Sequence, residues 1–397
     1  MLVFYFFVLV VIGLGVLSLR GGLRFAAYMR REASRPLSDF HSFASVFVPC
    51  RGLEDGLREN LTALCRQNYP AYEIVFVVDQ EDDPALRIIE EVAQGETTVR
   101  TRVVVAGKAV DCGQKVHNLR VAVTKPDPES VVFVFVDSDA RPEANWLQSL
   151  VAPLSDPELG AATGYRWFVP ERGGLASQLR SVWNASIASA LGADKTKNFC
   201  WGGSTAIRRS TFEKLQVAER WRGTVSDDFA LTNVLHEANL PIHFVPACLV
   251  ASVGDCSFRE LLEFTNRQLK ITRVYAANLW QPLLIGSFLF CAVFFGGMAL
   301  LVARYLRHLD FTVLLIALPL IYLLGAAKAW IRLRAVGLTL ANYRKRLSMT
   351  AHLMLWPLAS ALYLYNALTA AFSQRINWRG TTYELKSATE AVIISRE

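Results

Sequence analysis

The sequence predicts an α/β domain built on a mostly parallel sheet and held at a membrane by transmembrane helices near both ends of the chain. Three observations carry this. Hydrophobic residues make up 52% of the 397 residues and charged residues only 19%, with a mean hydropathy of +0.27, more apolar than ordinary soluble domains. Long apolar runs sit at the two ends. Between them, short runs rich in β-branched and aromatic residues alternate with stretches of helical spacing, the pattern of strand–helix units with right-handed crossovers. The same composition excludes a disordered or collagen-like chain.

Leu2 to Leu19 is apolar and about long enough to cross a bilayer. Arg20, Arg24, Arg30 and Arg31 follow this run and no small-residue cleavage site comes after it. It therefore reads as an anchor with its N-terminus outside, not as a secretory signal. Ala44 to Val48, Glu73 to Val78, Arg102 to Val105 and Val131 to Val136 are continuous apolar runs, as in strands covered by helices on both faces. Leu57 to Arg66, Pro84 to Val92 and Lys115 to Val123 carry helical spacing. A helix is expected from Asp227 to about Glu237, and an amphipathic one from Phe258 to Tyr275 leads to the membrane.

Leu283 to Val302, Phe311 to Ala327 and His352 to Phe372 are candidate spans. Strict alternation from a cytosolic domain leaves the basic stretch Lys328 to Arg346 in the cytosol but carries the tail after Phe372 outside. That tail holds Arg375, Arg379 and Lys386, so one of the three runs is open to being re-entrant or interfacial. The expected divisions are an anchor at 1–20, a cytosolic domain at 40–257, an interfacial helix at 258–282, a membrane region of two or three spans at 283–373 and a tail at 374–397.

The net charge of +7 borders the apolar segments, and no nucleic-acid motif accompanies it. Seven scattered cysteines without a C-x-x-C pair suit a reducing compartment. Neither G-x-G-x-x-G nor a P-loop is present.

Ligands of open α/β sheets bind beyond the carboxyl ends of the strands, so the acids there weigh most. Asp137-Ser138-Asp139 follows the run ending at Val136, and two carboxylates with one residue between them can hold a divalent cation through oxygen ligands. A turn with Asx hydrogen bonds is the plainer alternative. Asp79, also at a strand end, can accept from a nucleotide base, whereas Asp83 before Pro84 is explained by helix capping. Of Asp227 and Asp228, one is expected to cap a helix and the other to face the cleft as a general base. Lys115, Arg267 and Lys270 offer cations for phosphate oxygens. Arg267 and Lys270 are equally explained by lipid head groups. Trp201-Gly202-Gly203-Ser204 fits either a close backbone approach to a ligand or a tight turn.

The order of SVFVPCRG, QNYPAYEIVFVVDQEDDPA, GQKVHNL, VFVDSDARP, CWGGSTAIRR, TVSDDFAL and the terminal INWRGTTY resembles membrane-anchored family 2-type glycosyltransferases, most closely the ceramide glucosyltransferase branch. The resemblance spans nearly the whole chain. It implies a nucleotide-sugar-binding, GT-A-like fold, a UDP-sugar donor (UDP-glucose first) and a divalent cation, Mg²⁺ or Mn²⁺. It further implies inverting transfer to a ceramide-like lipid at the cytosolic face of a bacterial inner membrane or a Golgi- or ER-like membrane. Asp79 or its acidic neighbours then match the first acid, Asp137 and Asp139 the D-x-D, and Asp228 the base. The family's Q-x-x-R-W or R-x-x-R-W reads Arg267-Gln268-Leu269-Lys270-Ile271 here, which keeps a charge but loses the planar guanidinium and the aromatic surface. The alternatives are a processive polysaccharide synthase, transfer to a hopanoid, diacylglycerol or polyprenyl phosphate, and a non-catalytic nucleotide-sugar-binding protein.

Overall fold

The computed structural model describes residues 1–36, 38–96 and 98–396. The chain begins with α1 (Leu2–Ala33), β1 (Ala44–Pro49), α2 (Leu57–Cys65), β2 (Tyr72–Val78), α3 (Ala85–Gly95), β3 (Arg100–Val105), α4 (Gln114–Ala122) and β4 (Val132–Phe135). It continues with α5 (Trp146–Val151), β5 (Ala161–Val169), α6 (Leu175–Ala188), β6 (Thr205–Arg208), α7 (Arg209–Lys214), α8 (Val217–Arg220), α9 (Asp227–Glu237) and β7 (Ile242–Val253). Next come α10 (Phe258–Tyr275), α11 (Ala277–Leu306), α12 (Thr312–Val336) and α13 (Met349–Phe372), and the tail forms β8 (Arg375–Trp378), β9 (Thr381–Ser387) and β10 (Glu390–Arg396).

These elements form two compact units, one of Met1–Arg30, Phe168–Ala190 and Asp255–Gln374, the other of Arg31–Trp167, Leu191–Gly254 and the tail from Arg375. The α/β unit is a seven-stranded sheet ordered β3-β2-β1-β4-β6-β5-β7. Its β3, β2, β1 and β4 pair in parallel, and β6 runs antiparallel to both β4 and β5. β1, β2 and β4 are buried almost throughout, as expected for apolar runs covered on both faces. β3 departs from that expectation. It is an edge strand, with Val103 and Val105 exposed, so its lack of alternation does not reflect two-sided cover. One core face joins Phe47, Phe133, Phe135, Phe212 and Trp221, with ring centroids 5.2–5.9 Å apart along the cluster, to Val116 and Leu119 of α4 and Leu231 and Leu235 of α9.

The tail is part of this unit. Its strands make an antiparallel sheet ordered β10-β9-β8, Ile393 packs on the same core cluster, and Tyr383 Oη accepts from Gln114 N at 3.2 Å. The β8–β9 turn places Arg379 and Gly380 at positive φ. From there Arg379 pairs with Glu54 and donates to Arg51 O at 2.9 Å.

The second unit holds four helices long and apolar enough to cross a membrane, α1, α11, α12 and α13, with mean hydropathies of 2.8, 2.3, 2.0 and 1.2 over their most apolar windows. All four are longer than the sequence expectations: α11 and α13 are centred on the expected runs, whereas α1 and α12 start where expected and run on to Ala33 and Val336. α1 and α12 run in the same direction, Gly15 lying against Leu324 and Gly22 against Lys328. α6, inserted in sequence between β5 and β6, belongs here. It packs with α10 and α13 through Trp183 stacked on Tyr363 at 4.7 Å, while Asn366 bonds Thr265 and Asn266 at 3.0 and 2.8 Å. The α10 start is fixed by a capping box between Ser257 and Glu260, which satisfies two otherwise orphaned backbone donors.

Candidate active site

The site begins where β4 ends. Asp137 lies beyond Val136 at the C-terminal end of this strand, and its two oxygens are taken by Lys115 Nζ at 2.7 Å and an Arg166 nitrogen at 2.7 Å. Arg166 also grips Asp139 at 3.0 Å, and its guanidinium lies 4.8 Å from the Trp201 ring centroid. Lys115 completes its bonding with Asp227 Oδ1 at 3.1 Å and Gly202 O at 3.4 Å. Three acceptors saturate an ammonium group. Lys115 is thus an internal counter-ion between two carboxylates, where the sequence alone offers it to a phosphate.

Local backbone explains the convergence. Gly113 N donates to Thr224 O at 2.8 Å, and a Cβ on Gly113 would meet Val225 Cα at 2.9 Å. The start of α4 thereby sits against the segment entering α9, and Lys115 reaches Asp227. A Cβ on Gly202 would fall 2.3 Å from Asp227 Oδ2 and 2.7 Å from Lys115 Nζ. The Trp201–Ser204 segment forms a turn whose backbone closes on site side chains.

Ser226, not either aspartate, supplies the N-cap of α9 through its side chain. Asp228 accepts from Phe229 N at 2.8 Å and from the Ser226 hydroxyl through one oxygen, and its other oxygen lies 3.5 Å from Gly202 N. Asp227 is buried, and Asp228 is partly exposed. The acids at the helix start also favour its positive end.

Burial pushes the Asp137 carboxyl up, but Lys115 and Arg166 outweigh it and hold the group below the ordinary carboxylate range. Burial raises Asp227 to about 6, with Lys115 offsetting part of the rise and Asp228 and Asp137 adding to it. The unfolded chain ionises this group near pH 4. Between about pH 4 and 6 the folded state therefore holds the extra proton, and the contribution of Asp227 to stability falls as pH rises. In Asp227→Asn that slope disappears. The melting temperature of the parent relative to the variant should drop from pH 4 to 6.5, measured on detergent-solubilised protein, and a flat difference contradicts the assignment.

Asp79, at the end of β2, is buried with its Oδ1 lacking a hydrogen-bond partner among the described residues, and the nearest cation to its other oxygen is Arg51 at 3.8 Å. Burial raises its carboxyl above the ordinary range against the pull of Arg51. Asp83 accepts from Ala85 N and Gly52 N at 2.8 and 2.9 Å, the capping role expected of it. Arg267 and Lys270 lie on α10 in the membrane unit, Arg267 5.8 Å from the Phe264 ring and Lys270 bonded to Ser373 at 3.3 Å.

The structure thus brings together Lys115, Asp137, Asp139, Asp227 and Asp228. Arg166 and Arg379 were not anticipated. Arg166 is legible as a lone cation inside the apolar run Ala161–Val169; Arg379 lies in the terminal INWRGTTY, a motif that carries the resemblance without assigning this residue a place beside Arg51 and Glu54.

The D-x-D offers oxygen donors of the kind a hard cation takes. Asp139 Oδ1 is buried without a partner among the described residues, so one oxygen is open to such an ion, while both oxygens of Asp137 are shared with Lys115 and Arg166.

Hyaluronan synthase from Streptococcus pyogenes is 32% identical over 195 residues, 45% of this chain and 45% of that protein. The chain therefore spans less than half the length of the curated relatives it matches. Among solved structures, a mannosyltransferase from Pyrobaculum calidifontis in complex with GDP-Man and Mn²⁺ is 17% identical with a TM-score of 0.49, covering 92% of this chain and 99% of that one. Glucosyl-3-phosphoglycerate synthase from Mycobacterium tuberculosis, in complex with Mn²⁺ and UDP-glucose, is 17% identical with a TM-score of 0.37, covering 62% and 80%. The profile of glycosyl transferase family 21 matches residues 3–391. With that match running from the first apolar helix into the last strand, around acids gathered at the sheet's carboxyl edge, the chain belongs to glycosyl transferase family 21.

Proposed function

We propose that this protein transfers a hexose, glucose in the first instance, from a UDP-sugar to the hydroxyl of a ceramide-like lipid, with inversion at the anomeric carbon. The observation that carries this reading is the set of Asp137, Asp139, Arg166, Lys115, Asp227 and Asp228 joined at the carboxyl end of β4. Asp79, with its unpartnered buried oxygen, accepts from the base. A divalent cation, Mg²⁺ or Mn²⁺, held by Asp137 and Asp139, would supply positive charge to the donor diphosphate. Arg166, stacked on Trp201, keeps those carboxylates aimed together. Asp228, anchored by Ser226 and Phe229 N through one oxygen, takes the proton of the lipid hydroxyl as its oxygen bonds the anomeric carbon and the bond to UDP breaks. Arg267 and Lys270 serve phosphate oxygens or lipid head groups.

The same reading places the α/β unit in the cytosol. α1 leads into that unit, and α12 runs parallel to α1, so α12 ends on the same side, close to Arg344, Lys345 and Arg346. The tail is also in the α/β unit. α13 therefore starts and finishes on one side and does not cross. Its low hydropathy and its buried His352 and Asn366 agree with a helix lodged against α6 and α10. α11 and α12 form the hairpin that spans.

The test is UDP release by full-length, detergent-solubilised protein given a panel of UDP-sugars, with and without ceramide and with and without EDTA. Release that needs both lipid and metal is expected, and release indifferent to ceramide overturns the lipid acceptor. The similarity to hyaluronan synthase favours a second reading, a processive polysaccharide synthase. A product gel separates them, one glycolipid band against a polymer ladder.

A further inference from the structure

Within the membrane unit, a half-buried lysine and a buried arginine lie where no acid among the described residues pairs with them. Lys328 and Arg332 lie four residues apart on α12, hence on one face of the helix. Lys328 Nζ donates to Ser18 Oγ of α1 at 2.7 Å, its stem passing over Gly22, where a Cβ would stand 3.1 Å from Lys328 Cγ. Arg332 is only 4% exposed. One of its terminal nitrogens reaches Ser186 Oγ of α6 at 3.4 Å, and its Nε has no hydrogen-bond partner among the described residues. The buried His352 ring lies within the field of Arg332.

The carboxylates of this unit are Glu171, Asp255, Glu260, Glu263 and Asp310. None is in position to neutralise the pair. Asp255 accepts from Glu171 N and Arg172 N, Glu260 closes the α10 capping box, Glu263 pairs with Arg259, and Asp310 caps the start of α12; Glu171 is exposed. A buried charge without a counter-ion costs several kcal/mol, and an ionisable group inside a membrane segment is retained where it has a partner or a function. Two serine hydroxyls do not neutralise two cations.

The level in the membrane identifies the missing anion. Lys328 meets α1 between Ser18 and Gly22, beside the exposed Arg20 and Arg24, and exposed Trp330 carries Arg334 at 5.2 Å from its ring. Tryptophan and arginine mark the head-group layer. We infer that Lys328 and Arg332, with Ser18 and Ser186, form a binding site for a phosphoryl anion, supplied by the phosphodiester of an anionic phospholipid. The site is separate from the D-x-D centre and does not depend on the sugar-transfer reading.

The experiment uses full-length protein in detergent, with phosphatidylglycerol, phosphatidylcholine of the same chains or inorganic phosphate added. The readouts are melting temperature and, by native mass spectrometry, retained lipid. Phosphatidylglycerol should raise the melting temperature and phosphatidylcholine should not. If millimolar inorganic phosphate stabilises equally, the site stands and its occupant is free phosphate. Lys328→Gln or Arg332→Gln should each cut retained phosphatidylglycerol about fivefold, while Lys345→Gln, on the exposed basic loop, should not. A parent protein indifferent to all three additions overturns the proposal whatever the variants do. So does loss of lipid from Lys345→Gln equal to that from Arg332→Gln, which would mean diffuse surface charge.

Discussion

Asp228→Asn should lower sugar transfer by about 10³-fold and leave UDP-sugar binding within about twofold, because general-base assistance contributes roughly 10²–10⁴. The amide oxygen of Asn can still accept from Phe229 N, so the start of α9 is preserved, and Lys115, Asp137 and Asp227 keep their mutual contacts. What disappears is the oxygen able to take a proton. Initial rates and donor titration on the same preparation check this. A variant that transfers at the parent rate removes Asp228 from the mechanism, and one that loses donor binding as well reassigns it to the nucleotide.

Lys115→Met should destabilise the α/β unit by about 3–5 kcal/mol, the range for removing one partner of a buried ion pair. Lys115 is the charge that lets Asp137 and Asp227 share a buried site. Without it Asp137 keeps Arg166, and Asp227 has no other cation partner among the described residues. The double variant Lys115→Met with Asp227→Asn should therefore recover a substantial part of the loss. Denaturant unfolding in detergent of the parent, the two singles and the double gives the coupling directly. If Lys115→Met is as stable as the parent, the ammonium is not the counter-ion its geometry implies.

The parts of this fold that could be read from sequence are those fixed locally. β1, β2, β4, α9 and α10 lie within two residues of their expected ends, because continuous apolar runs and a Ser-initiated helix leave few alternatives. β5, β6, β7 and α6 went unread since each is defined by a distant neighbour. β6 exists through its pairing with β4 and β5, and α6 packs against helices far along the chain. The tail strand Thr381–Ser387 has its inward alternation in plain view, yet nothing local says that it lies on the α/β core. The acids of the site were legible because strand ends and helix starts locate them. Their cations were not, since Arg166 is placed by a strand the pattern did not reveal, and the saturation of Lys115 depends on three segments meeting.

The α/β unit is assembled from three separated stretches of chain, and the last of them holds the loop after β1 by way of Arg379 at Arg51 and Glu54, next to Asp79. During synthesis that contact cannot form until the ribosome has passed Arg379, by which time every apolar helix has been offered to the membrane. A half-made chain therefore lacks the brace on the loop beside Asp79, and the α/β unit is completed only after the four apolar helices have left the ribosome.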